Sequence, residues 1–188
     1  PYFIGLESHS EDFTDGSYNW FNMNGTKTQR QLVDQLNSFY EKQAQKSFLI
    51  ATAFPSFHDI YALCGQKSYG FLDYLEGKTF NLSLEAAIQS NPSIIQIATW
   101  NDYGEGTMIE PTVQRGYKEL EVIQDLKKKY DDNFPYNYLD LRAPLKMYSL
   151  ITNSSVSETD RATSERTINA IFEDRIKDYR ASLKEGGI

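Results

Sequence analysis

Apolar runs and amphipathic stretches alternate along this chain. Residues 2–6 form a short apolar run that predicts a buried strand, followed by polar Glu7, Ser8, His9 and Ser10. Asp15 and Gly16 signal a turn, and residues 17–22 predict a second strand ended by Asn24 and Gly25. Leu32, Val33, Leu36, Phe39 and Tyr40 recur at helical spacing, predicting a helix over 28–44 capped by Thr26 or Thr28. Residues 47–53 are continuously apolar and predict a third strand. The stretch 54–80 holds Pro55, Gly65, Gly70 and Gly77 and predicts a long loop, a feature usually tied to function. A short helix over 82–90, closed by Asn91 and Pro92, precedes a fourth strand over 94–100. Helices follow over 114–130 and 138–151. A polar break at 154–158 leads into an amphipathic helix over 160–184, with Ile168, Ile171, Phe172, Ile176 and Tyr179 as its stripe.

Strands without internal polar alternation, interleaved with helices, indicate an α/β fold with a parallel sheet under helices. Four such strands make half of a TIM (β/α)8 barrel, in which chemistry sits just beyond the C-terminal end of each strand. Polar clusters fall at those places, at residues 7–10, 22–24, 54–59 and 101–105. An open, doubly wound sheet of four strands shares the alternation, but no Gly-rich phosphate loop opens any helix.

Composition narrows the chemistry. The 188 residues suit about one domain. Thirteen Tyr and eleven Phe supply flat faces on which sugar rings stack, or a core rich in those residues. A net charge of −7 repels phosphate backbones, which argues against nucleic-acid partners. Cys64 is the single cysteine, and His9 and His58 are the two histidines, so neither an internal disulfide nor a metal or other cofactor is expected. No apolar run reaches the roughly 20 residues of a membrane span. The chain begins at Pro1 with neither initiator Met nor signal peptide, so it is expected to be processed or cut from a longer protein. Asn24, Asn81 and Asn153 head N-x-S/T triplets, a weak pointer to an extracellular or periplasmic setting.

The densest chemistry follows the fourth strand, in Trp100-Asn101-Asp102-Tyr103-Gly104-Glu105. Two carboxylates three residues apart in one turn can converge on one space. Glycoside hydrolysis needs such a pair, one to protonate the leaving oxygen and one to assist attack. Gly104 and Gly106 permit backbone angles that aim both inward. Trp100 offers a face for a pyranose ring, and Asn101 can bond a hydroxyl. A solvated polar turn is the plain alternative. Glu7, His9, Trp20, Asn22, His58 and Asp59 end the earlier strands, where each could line a sugar cleft or serve as a loop residue.

Residues 98–112 resemble the last barrel strand and loop of glycoside hydrolase families 71 and 99. Trp100 to Glu105 are similar to the Trp-Asn-Asp-Tyr-Gly-Glu pattern of the family 71 α-1,3-glucanases. Gly106, Thr107, Ile109, Glu110 and Pro111 are similar to the pattern of family 99, the endo-α-mannosidases and their relatives. Asp15-Gly16-Ser17-Tyr18 resembles the family's strand entry. Residues 54–59 resemble its Pro-Gly-Phe-Asp-Asp loop, with Ser56 in place of Gly, and residues 116–121 its following helix.

The resemblance implies that the chain holds roughly the last four strand–helix units of the barrel in residues 1–133, with a helical extension in 134–188. It implies α-glycan cleavage without cofactor, with Glu105 as general acid and Asp102 at the position of an assisting Glu that works through the sugar 2-hydroxyl. The shorter Asp favours a family 71-like route in which water is activated. Glu110 and Tyr103 would flank the bound sugar or hold the loop. A carbohydrate-binding barrel without turnover and a role in surface-polysaccharide assembly are the alternatives. Four strands also leave two open edges, so the partner expected besides an oligo- or polysaccharide is the missing N-terminal half or a second copy.

Overall fold

The computed structural model describes residues 1–6, 13–20, 23, 28–152 and 157–172, with backbone alone for residues 150, 151, 167, 168 and 170–172. Glu7, His9 and Asn22 lie outside the described residues, as do Ile176 and Tyr179 of the apolar stripe expected in the last helix, whose Ile168, Ile171 and Phe172 are described by backbone alone. In chain order the elements are β1 (Ile4–Leu6), β2 (Gly16–Tyr18), α1 (Gln29–Gln43), β3 (Phe48–Ala53), β4 (Phe57–His58) and β5 (Phe71–Leu72). Then come α2 (Lys78–Gln89), β6 (Ile94–Ile97), α3 (Lys118–Tyr130), α4 (Tyr138–Thr152) and α5 (Glu158–Phe172). The residues fall into two compact units, Pro1–Glu119 and Leu120–Ile188.

The first unit is α/β. Its four-stranded sheet is parallel throughout, in the order β1-β2-β3-β6. Helix α1 starts because the Thr28 side chain accepts the Gln31 N–H at 3.2 Å, an N-cap that satisfies an otherwise orphan donor. Leu32, Leu36, Phe39 and Tyr40 then share one face and are buried. They form one cluster with Leu49 and Ala51 of β3 and Ala86 and Ala87 of α2, and Ile95 of β6 packs against it. At the end of β3 the buried Tyr40 hydroxyl donates to the Thr52 carbonyl at 3.3 Å and accepts its N–H at 3.2 Å. Burial pushes that phenol up to about 12, against the opposing hydrogen bond at Thr52.

The register separates the sheet's two faces. Tyr18, Ile50 and Ile94 stand in line across β2, β3 and β6, on the side opposite Leu49 and Ala51. Tyr18 and Ile50 are half-buried, and Ile94 is 49% exposed. Further along, Gln96 Nε2 donates to Thr52 Oγ1 at 2.7 Å and to the Asn19 carbonyl at 3.1 Å. This second face is therefore apolar at one level and internally hydrogen-bonded at the next.

Several expectations shift, among them the second strand, which ends at Tyr18, and the helix expected from 114, which begins at Lys118. Asp15-Gly16 is no turn before the strand, because Gly16 is its first residue: a Cβ there would lie 1.9 Å from the Phe48 carbonyl oxygen. Helix α2 begins at Lys78 rather than 82, entered through left-handed Gly77 at φ 88°. Strand β6 stops at Ile97 rather than at 100, for reasons that belong to the loop beyond it.

In the second unit, Asn137 Oδ1 accepts the Leu139 N–H at 2.9 Å at the start of α4, and Ser157 Oγ accepts the Asp160 N–H at 3.2 Å at the start of α5. Helix α4 runs through Pro144. Gln124 Nε2 donates to the Asn137 carbonyl at 2.9 Å, and Arg142 pairs with Glu121.

Candidate active site

All four sheet strands run the same way, so residues following each strand gather at one end. Trp20 follows β2 and is 50% exposed. His58 and Asp59 follow β3 on a short antiparallel ribbon, in which Phe57 pairs with Leu72 and His58 with Phe71. The segment 98–116 follows β6.

That last segment folds back on itself, which is why β6 is short. The Thr99 N–H donates to the Thr107 carbonyl at 2.9 Å, and the Glu110 N–H donates to the Trp100 carbonyl at 2.8 Å. Thr99 Oγ1 also meets Thr107 Oγ1 at 2.9 Å and accepts the Asp102 N–H at 3.0 Å. Asp102 Oδ1 in turn accepts the Glu105 N–H at 3.0 Å. The turn 102–105 is thus closed by one of its own carboxylates. Gly106 sits at φ 66°, where a Cβ would lie 3.3 Å from the His58 nitrogen, so both conformation and space call for glycine.

The loop after β3 grips this turn. His58 N–H donates to the Glu105 carbonyl at 2.8 Å, and Ile60 N–H to the Gly104 carbonyl at 3.0 Å. Ser56 Oγ donates to the Gly106 carbonyl at 2.5 Å. Arg115 reaches back across the segment, donating to the Met108 carbonyl at 3.1 Å, to Ser56 Oγ at 2.8 Å and to the Gly106 carbonyl at 3.2 Å. Its guanidinium lies 4.3 Å from the centre of the Tyr74 ring, a stacking contact that steadies it.

Each glutamate of the segment meets a tyrosine. Tyr61 donates its hydroxyl to Glu105 Oε1 at 2.6 Å, and Tyr103 donates to Glu110 Oε2 at 2.6 Å. The hydrogen bond to Glu105, then desolvation and the charges of Glu105, Asp102 and Asp59, push the Tyr61 phenol up to about 12. Tyr103 is raised in the same way, first by its bond to Glu110. Both hydroxyls therefore keep their protons at any physiological pH.

Asp59 is buried and turned into its own loop. Its Oδ1 accepts the Tyr61 N–H at 3.2 Å, and its Oδ2 accepts the Tyr69 N–H at 2.7 Å and the Ser68 hydroxyl at 3.1 Å. Burial favours the neutral acid, but the bonds from Tyr69, Ser68, Tyr61 and Gly70 outweigh it and hold the carboxyl below its ordinary value.

The structure thus brings Asp102 and Glu105 onto one turn, beside the backbone of His58. Trp100 and Tyr103 present half-exposed rings, Asn101 is exposed, and Glu110 is held by Tyr103. Tyr61 and Arg115 hold the site and were not singled out from sequence; Ser56, which also holds it, stood out only as a departure from the family's Gly. No local pattern marks Tyr61, which acts across 44 positions. Among the described residues, no three His, Cys, Asp or Glu side chains gather as a metal site, and no helix is long and apolar enough to cross a membrane.

The sequence profile of glycosyl hydrolase family 99 matches residues 4–145. The glycoprotein endo-alpha-1,2-mannosidase of Mus musculus is 30% identical over 148 residues, covering 74% of this chain and 30% of its own. The ascus wall endo-1,3-alpha-glucanase of Schizosaccharomyces pombe is 32% identical over 104 residues, covering 55% of this chain and 22% of its own. The chain therefore spans about a third or less of the curated relatives it matches. A solved glycoside hydrolase-like protein shares the fold, with a TM-score of 0.51 at 16% identity over 66% of this chain and 43% of its own.

Proposed function

Because this chain belongs to glycosyl hydrolase family 99, we propose that it carries the catalytic corner of a glycosidase acting on α-linked glycans of the α-mannan or α-1,3-glucan type. Glu105 donates its proton to the glycosidic oxygen as the C–O bond breaks, and the bonding electrons leave with that oxygen. Asp102 accepts a proton from the water that attacks the anomeric carbon, using the oxygen not engaged by the Glu105 N–H. The step leaves Glu105 ionised and Asp102 protonated, and proton exchange with solvent restores the pair for the next turnover without a metal or cofactor. Trp100 and Tyr103 supply faces for sugar rings, Asn101 and His58 bond hydroxyls, and Glu110 flanks the bound sugar. Trp20 lines the cleft after the second strand.

The observation that carries this reading is the turn 102–105 itself. Both acids stand on one hydrogen-bonded turn at the end of a parallel sheet, anchored by the neighbouring loop rather than left to solvent. The likeness to an endo-alpha-1,2-mannosidase and to an endo-1,3-alpha-glucanase supports the substrate class. In this reading residues 1–133 are one half of a (β/α)8 barrel and 134–188 a helical extension. The apolar, half-buried face formed by Tyr18, Ile50 and Ile94 is then the barrel interior, covered by further strands from the rest of the protein or from a second copy. An extracellular or periplasmic setting goes with such polymers.

The test is Glu105→Gln in the complete protein, assayed by reducing-end release from α-1,3-glucan and α-mannan oligosaccharides. A loss of about 10²–10⁴-fold with an unchanged melting temperature is expected, the usual contribution of a general acid. Undiminished turnover overturns the assignment. Oligosaccharide binding without any turnover by the unaltered protein would instead favour the carbohydrate-binding reading, which Asp102 serving as a turn cap also fits.

A further inference from the structure

We propose that Tyr61 is a positioning residue for Glu105, fixing which of its two carboxyl oxygens faces the substrate. The inference rests on Glu105 being the proton donor. A carboxyl group turns easily about its terminal bond, so a general acid needs something to choose its orientation. The Tyr61 hydroxyl takes Oε1 at 2.6 Å. That leaves Oε2 to carry the proton toward the glycosidic oxygen. When the proton leaves, Oε1 belongs to a carboxylate, and the bond from Tyr61 strengthens as a charge-assisted one. Tyr61 itself neither gains nor loses a proton.

Three features make Tyr61 suited to this. Its backbone is tied at the Asp59 carboxylate, which also holds the Tyr69 N–H, so the start and end of the 59–69 loop are clamped to one group. Its ring packs edge-on against Tyr69, with centroids 5.7 Å apart and planes at 81°. The same loop holds the Glu105 backbone, through the His58 N–H to its carbonyl at 2.8 Å. Main chain and carboxylate of Glu105 are therefore located by one short stretch, residues 58–61. Tyr61 lies outside the resemblance at 98–112 and touches Glu105 only through space.

Tyr61→Phe in the complete protein removes the hydroxyl and keeps the ring. Its kcat should be measured on α-1,3-glucan and α-mannan oligosaccharides and on the matching α-glucosyl and α-mannosyl fluorides. Fluoride departs without a donated proton, whereas a sugar alkoxide does not. We expect kcat on the oligosaccharide to fall by about 10- to 100-fold, with KM little changed. On the fluoride kcat should stay near that of the unaltered protein. Equal losses on both substrates, or none on either, overturn the positioning role. Glu105→Gln separates the two assignments. If it keeps full oligosaccharide turnover, the proton-donor reading falls and this one with it. If it shows the leaving-group split and Tyr61→Phe does not, the Tyr61 assignment alone falls.

Discussion

The sheet-bearing unit and the helical unit of this chain are built on different terms. In residues 1–119 the largest fully buried side chains include Phe39, Phe54, Phe80, Leu32, Leu36 and Leu72. Among the described side chains of residues 120–172 the buried ones are Gln124, Ala143, Thr163 and Ser164, which are small or polar. Leu139, Leu145 and Tyr148 of α4 are each more than half exposed. The first unit holds its backbone in place by a close-packed apolar core. The described side chains of the second contribute caps and single polar contacts such as Arg142 with Glu121. Precise chemistry belongs where the scaffold is rigid, and the carboxylate turn stands on the first unit.

Substitutions can sharpen or break that contrast. Phe39→Ala, at the centre of the α1 cluster, should have the largest effect, costing about 3–5 kcal/mol in chemical denaturation. A cost below about 1 kcal/mol would mean the first unit is no more tightly packed than the second. Gly106→Ala should come next, at about 1–2 kcal/mol, because φ 66° strains an L residue and the new Cβ presses on the His58 backbone. Activity should fall further than stability here, since the displaced loop carries Glu105. Leu145→Ala should be smallest, within about 0.5 kcal/mol in thermal melts, its side chain being 58% exposed. A large loss there would reveal a partner covering α4.

Much of this was legible in the residues. Helix α1 followed from the spacing of Leu32, Leu36, Phe39 and Tyr40, and Thr28 proved to be the cap. The parallel sheet followed from uninterrupted apolar runs, and the family from residues 98–112, which the profile over 4–145 bears out. Other features could not be read locally. The end of β6 depends on carbonyls of Thr99 and Trp100 pairing with residues up to ten positions on. Gly16 looked like a turn because glycine has two uses, bending and close approach, and only the nearness of Phe48 decides between them. Tyr61 was invisible because its partner is remote in sequence, and the carboxylate of Asp59 was visible without its purpose. The half-buried sheet face needed the register before it could be told from the core face.

The two hydrogen bonds donated by the His58 and Ile60 amides to the Glu105 and Gly104 carbonyls have a consequence that needs no substrate to observe. These hydrogens trade with deuterium only when the two loops part. Their exchange rates therefore time the opening of the carboxylate turn. If the pair exchanges at one rate, slower than exposed loop amides yet faster than the Leu36 and Phe39 amides of α1, the corner opens as one latch on a closed core.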